Sequence, residues 1–155
     1  MKKILFVCLG NICRSAAAEE VFRTLAARAG RGKEFEADSA GMIDYHEGEL
    51  PDARMRSHAA RRGYRLTHRS RPVRPDDFAR FDLVVAMDGQ NERGLLRLAP
   101  DDEARRKVVR MAAYLTRHGD PEIPDPYYGG DEGFEHVLNL LEDACEGLLA
   151  SLGQE

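Results

Sequence analysis

The 155 residues contain no tryptophan, only three cysteines, and no apolar run longer than the six residues Ile4–Leu9. Each scarcity excludes something. Three cysteines, an odd number without paired spacings, do not make a disulfide framework and suit a reducing compartment. No stretch approaches the roughly 20 apolar residues that a membrane-spanning helix needs. Met1-Lys2-Lys3 ahead of Ile4–Leu9, with Ala16–Ala18 as a mimic of a cleavage site, resembles a secretory signal. The apolar run is too short for one, and Gly10, Asn11 and Arg14 break its continuation. A cytoplasmic protein without membrane insertion is expected. There is no excess of positive charge either: the net charge is −4, which speaks against nucleic acid as a main partner. A single positive pocket inside an acidic surface remains compatible with a small anionic ligand.

What is present is a chain of a size for one domain over residues 1–155, with strand and helix patterns in alternation. Ile4–Val7 reads as a fully buried strand, and Gly10-Asn11 as a tight turn. From Ser15, a plausible N-cap, Ala18, Val21, Phe22, Leu25, Ala26 and Ala29 recur at helical spacing until Gly30. Further strands are expected at Phe35–Ser39, Asp82–Met87 and Lys107–Ala112. Helices are expected at Asp52–Arg62 and Asn91–Leu98, with a long amphipathic one carrying Phe134 to Leu152. The pattern predicts an α/β three-layer sandwich around a mostly parallel four-stranded sheet. Ligands in such folds bind beyond the carboxyl ends of the strands, so the turn after the first strand is the first place to look.

That turn reads Cys8-Leu9-Gly10-Asn11-Ile12-Cys13-Arg14-Ser15. If the chain curls between a strand end and a helix start, its N–H groups converge into an anion nest, reinforced by the helix N-terminus. Arg14 can close the ring with a fork matched to two phosphate oxygens. The same positive features stabilise a thiolate at Cys8, placing a nucleophile against bound phosphate. A proton donor for the leaving group is also needed, and Asp120 and Asp125 both qualify, each preceding a proline in the loop from His118 to Gly130. Physical reasoning does not choose between them.

The segments V-C-L-G-N-I-C-R-S, Asp38–Gly41 (D-S-A-G), Ala86–Asp88 (A-M-D) and Asp125–Gly129 (D-P-Y-Y-G) together resemble the low-molecular-weight protein tyrosine phosphatase family, over essentially the whole chain. The resemblance implies a metal-independent hydrolase without cofactor. Phosphotyrosine proteins or small aryl phosphates would be substrates, and inorganic phosphate the product and an inhibitor. It implies Cys8 as nucleophile, Arg14 as phosphate clamp and Asp125 as general acid. Ser15 would donate to the Cys8 thiolate, and Asn11 would hold a left-handed turn braced by Ser39 and His68. Tyr45, Tyr127 and Tyr128 would wall the substrate slot. A bulky apolar Ile12 goes with aryl phosphates, where a threonine would accompany phosphoarginine phosphatases. The chain departs from the family pattern at Ala16, where proline is frequent, and at Met42, where a smaller polar residue would contact the rim.

Other residues invite plainer readings. Cys145 falls on the apolar face of the last helix and reads as a core thiol. The five histidines show no metal-ligand spacing, and Cys8 and Cys13 have no second pair, so no metal is expected. Cys13, five residues from Cys8 on one curled loop, is expected to trap an oxidised Cys8 as a disulfide. The arginine clusters Arg54–Arg65 and Arg69–Arg74 read as solvated faces, with contact to an acidic peptide substrate as the alternative. Three competing readings keep the same loop: a thiol-dependent arsenate reductase, a non-hydrolytic phosphate-binding module, and a redox sensor. The first would need resolving cysteines after the third strand, and Asp82–Leu98 has none.

Overall fold

The computed structural model describes residues 1–127 and 129–153. Four strands, β1 (Lys2–Cys8), β2 (Phe35–Gly41), β3 (Leu83–Ala86) and β4 (Val108–Arg110), form one sheet in the order β2-β1-β3-β4. Every pairing is parallel, with Cys8 opposite Gly41 at the carboxyl end of β1. The helices are α1 (Arg14–Arg28), α2 (Ala53–Ala60), α3 (Asp77–Arg80), α4 (Gly89–Leu98), α5 (Asp102–Arg106) and α6 (Asp131–Ser151). The α/β three-layer architecture is thus the one expected.

The uninterrupted apolar run of β1 has a simple cause. Successive strand side chains point to opposite faces, and both faces of this strand are covered. Ile4 and Phe6 enter a large core with Val21 and Phe22 of α1 and Leu138 and Leu141 of α6. Leu5 and Val7 enter a second core with Phe78, Leu95 and Ala104 from α3, α4 and α5. Cys145 lies fully buried in the first core. Fully burying such side chains stabilises by about 1.5–3 kcal/mol each.

Several local expectations need correction. Ser15 does not cap α1; that helix starts at Arg14, and Cys13 occupies the cap position without a side-chain bond. The Ser15 hydroxyl instead finds its partners inside the loop. Ala29 lies outside the apolar face, at the exposed C-cap of α1. The fourth strand is three residues long, because Met111–Tyr114 winds into a 3-10 turn. Met42 turns away from the pocket rim and packs on the second core, where a Cβ on Gly94 would come within 2.6 Å of its Cε. Tyr128 lies outside the described residues.

Candidate active site

The loop from Leu9 to Cys13 leaves β1 and enters α1, so it stands at the carboxyl edge of the sheet, near the point where strand order reverses. Asn11 is its pivot. It is fully buried and, with φ 58°, holds the only positive φ among the described non-glycine residues. Asparagine tolerates that region better than most residues. Gly41 is the other requirement, since a Cβ there would come within 2.9 Å of the Leu9 carbonyl oxygen. Among the described residues, the N–H groups of Gly10, Asn11, Ile12 and Cys13 donate to no backbone or side-chain acceptor. Buried N–H groups without partners are rare, and several in one curl make a site for an anion.

Proton directions around Cys8 can be worked out from the contacts of Asn11. The Arg71 backbone N–H can only donate, and it meets the Asn11 Oδ1 at 3.1 Å. The Asn11 Nδ2 therefore donates to the Ser15 Oγ, at 2.8 Å. With its oxygen so engaged, the Ser15 hydroxyl has its hydrogen left for the Cys8 Sγ at 3.0 Å, the Ala40 carbonyl at 3.4 Å being the weaker alternative. A hydroxyl donating to sulfur favours the thiolate.

His68 supports Asn11 from behind, its Nε2–H donating to Oδ1 at 3.0 Å. Its Nδ1 then faces Glu19 at 3.3 Å and Asp38 at 3.5 Å. Burial pushes the Glu19 acid up to about 7 against the pull of Ser39 and Arg23, and burial lowers the His68 imidazolium despite Asp38. Ser39 donates to Glu19 at 2.7 Å, so it reaches Asn11 only through Glu19 and His68 rather than bracing it directly. Glu19, Asp38 and His68 are the trio of potential metal ligands, their ligand atoms within 4.8 Å of one another among the described residues. Their oxygens already accept from Ser39, Arg23 and Arg71, which fits a brace.

Arg14 is 2% exposed and held at three points. Its Nη1 donates to the Asp88 Oδ2 at 2.7 Å and to the Ile123 carbonyl at 3.0 Å, and its Nη2 lies 3.5 Å from the Asp125 Oδ2. Asp88 stands just past β3, where its other oxygen caps α4 by accepting from the Asn91 N–H. Buried Asn91 leaves its Oδ1 as the one described side-chain atom buried without a partner.

The acid loop is fastened at two places. Asp143 of α6, fully buried, accepts from the Thr116, Arg117 and His118 N–H groups and from the Thr116 hydroxyl. Those bonds and His118 hold its carboxyl well below the usual range in spite of burial. Ile123, also fully buried, donates its N–H to the Met87 carbonyl at 2.8 Å. Asp120 pairs with His136 at 2.9 Å, whereas Asp125 faces the loop.

A cavity of about 340 Å³ joins Cys8, Leu9, Gly10, Cys13, Arg14 and Asp125, with Ile12, Tyr45 and Tyr127 as walls. Cys13 is buried beneath the loop, and that burial pushes its thiol far up. Sequence reasoning missed Asp88, Glu19, Ile43 and His46. Asp88 carried a signal, as an acidic residue directly after the central strand and before a helix. His46 carried none: it packs on the face of Gly10, where a Cβ would meet its Cδ2 at 3.2 Å.

A family model described as low molecular weight phosphotyrosine protein phosphatase matches residues 3–155. The chain is 52% identical to a Synechocystis protein whose name places it provisionally in that family, over 99% of this chain and 98% of that one. It is 46% identical to the low molecular weight protein-tyrosine-phosphatase of Streptomyces coelicolor, over 99% and 94% of the two chains. A crystal structure of a protein tyrosine phosphatase from Entamoeba histolytica, with Hepes in its active site, superposes with a TM-score of 0.96 at 45% identity, covering 98% of this chain and 97% of the other. With a loop, a buried arginine and an acid in this arrangement, the chain belongs to the low molecular weight phosphotyrosine protein phosphatase family.

Proposed function

We propose that this enzyme hydrolyses phosphotyrosine and related aryl phosphates through a cysteinyl-phosphate intermediate. The observation that carries the reading is the convergence on one cavity of the Cys8 sulfur, the unengaged loop N–H groups, Arg14 and Asp125. The loop amides and Arg14 would take the nonbridging phosphate oxygens, and the helix α1 N-terminus adds its partial positive charge. The Cys8 thiolate attacks phosphorus as the ester P–O bond breaks, and Asp125 gives its proton to the departing phenolate. Asp125, now a carboxylate, takes a proton from the water that attacks the phosphocysteine, releasing inorganic phosphate and the thiolate. Ile12, Tyr45 and Tyr127 supply apolar walls for an aromatic ring, which favours aryl esters over phosphoarginine. The absence of a cysteine from Asp82–Leu98 argues against arsenate reduction.

A thiolate nucleophile requires a reducing environment, and all three cysteines are free thiols. No described helix is long and apolar enough to cross a membrane. The free thiols support work in the cytoplasm on phosphoproteins. The test is Cys8→Ser with a panel of phosphotyrosine, phosphoserine and phosphoarginine peptides. The parent should favour phosphotyrosine and be indifferent to EDTA. The variant should lose turnover yet still bind phosphate or vanadate, because the amides and Arg14 remain. Turnover by Cys8→Ser, with contaminating phosphatase excluded, would refute the nucleophile assignment.

A further inference from the structure

Next to the catalytic cavity lies a second cleft of about 450 Å³, sharing Ile12, His46 and Tyr127 with it as common walls. Its far side carries two exposed arginines, Arg56 of α2 and Arg69. Each guanidinium is steadied by a single backbone carbonyl. Arg56 Nε donates to Pro51 at 2.9 Å, and Arg69 Nη1 donates to Gly48 at 2.9 Å. A guanidinium has five N–H donors, so four on each remain for a ligand. Neither arginine has a carboxylate within 4.0 Å among the described residues, although most arginines of this acidic chain do.

The two carboxylates that also line the cleft are already engaged. Glu49 lies 3.2 Å from His46, and Asp52 accepts from the Arg54 side chain and from the N–H groups of Arg54 and Met55. Arg56 and Arg69 are thus the cleft's charges without an opposite partner within 4.0 Å among the described residues, in a protein whose net charge is −4. Both arginines are also held in register with the phosphate-binding loop. The Asp52 N–H, at the start of the helix carrying Arg56, donates to the Ile12 carbonyl at 2.8 Å. Ser70, beside Arg69, donates through its hydroxyl to the Gly10 carbonyl at 3.0 Å. Distances from the loop to the two guanidinium stems are thus set by the fold.

Resting on the phosphotyrosine reading of the main cavity, we propose that this cleft takes an acidic side chain flanking the phosphotyrosine of a peptide substrate. The flanking residue would lie within about three positions, an extended chain advancing ~3.3 Å per residue. Arg56 and Arg69 recognise its carboxylate, and a lysine there would be repelled. The cleft thus adds selection among phosphotyrosine sequences to the chemistry of the main cavity.

The experiment compares kcat/KM for free phosphotyrosine and for three phosphotyrosine peptides with glutamate, glutamine or lysine at the flanking positions. At low salt the parent should favour the glutamate over the glutamine peptide by roughly fivefold, the scale of two exposed charge pairs. The preference should shrink as salt approaches about 0.5 M, where screening is short-ranged. Arg56→Gln with Arg69→Gln should bring the ratio to about one, and Arg56→Glu with Arg69→Glu should reverse it toward lysine. The ratio is insensitive to a general loss of active enzyme, and the salt series needs no variant. A parent that hydrolyses phosphotyrosine but treats the peptides alike, or a ratio unchanged by charge reversal, overturns this proposal alone. A parent that leaves free phosphotyrosine intact overturns the phosphatase reading and the proposal with it.

Discussion

Removing the Asp88 carboxylate should destabilise the protein by several kcal/mol, and most of that loss should disappear once Arg14 is also removed. The two oxygens have separate tasks: one accepts from Arg14 at 2.7 Å, the other caps α4 through Asn91 at 2.8 Å. The Arg14 side chain is 2% exposed and that of Asp88 15%, so water screens the pair weakly. Taking one partner from a buried pair costs about 3–5 kcal/mol, because the other charge stays behind. Ile123 and Asp125 still face Arg14, which moves the expectation to the lower end of that range. Loss of the cap adds about 1 kcal/mol. Asp88→Ala should therefore cost roughly 4 kcal/mol, a large part of the ~5–15 kcal/mol of a typical domain. In an Arg14→Met background only the cap remains to be lost, about 1 kcal/mol. Urea unfolding of the parent, both single variants and the double variant, in phosphate-free buffer, yields the coupling directly. A coupling of about 3 kcal/mol is expected; one below about 0.5 kcal/mol would refute the argument that Asp88 holds Arg14.

Three other outcomes can be checked. Asp125→Asn should slow aryl phosphate hydrolysis by about 10²–10⁴, less for esters of acidic phenols, while Asp120→Asn, whose partner is His136, should have a much smaller effect; the reverse ranking would overturn the assignment. Glu19→Gln should gain stability relative to the parent as pH rises from 5 to 8. The folded protein holds the Glu19 proton up to about 7, so the stability it contributes is present below about 4.5 and lost through about 7, at most roughly 3 kcal/mol. His68, shifted the other way, reduces the net slope, and a difference independent of pH would disprove the linkage. Peroxide should inactivate the enzyme reversibly, the Cys8 sulfenic acid condensing with the Cys13 thiol to a disulfide and water. Phosphate should protect, and Cys13→Ser should leave Cys8 to over-oxidise; full recovery by Cys13→Ser would mean that Cys13 only packs.

The chain alone reveals whatever local pattern expresses. The β1 run is continuous because both of its faces meet a core, and the turn at Gly10-Asn11 announces itself through residues that accept positive φ. Long α6 shows its apolar stripe because one face packs on α1. Short α3 and α5, of four and five residues, have no room for a stripe and leave no periodic signal. The partners of Asp88, Glu19 and Asp143 were hidden for a different reason. Each acid is shielded by donors from remote segments, such as Arg14 across 74 positions from Asp88, and no spacing rule records such an encounter. Ser15 misled because serine before a helix usually caps it, whereas here the hydroxyl is engaged by Asn11 and Cys8.

The two fastenings of the acid loop have a consequence for how the family can diversify. Asp143 grips Thr116 to His118 and Ile123 plugs into the core, so both lie upstream of the tip from Pro124 to Gly130. The tip is anchored again where α6 begins at Asp131. Between those fixed ends the segment behaves as a cassette. With Asp125 kept against Arg14, the other described residues of the tip can change without disturbing the sheet or the thiol. Surface chemistry around the scissile bond can thus change over generations while the hydrolytic apparatus is inherited intact.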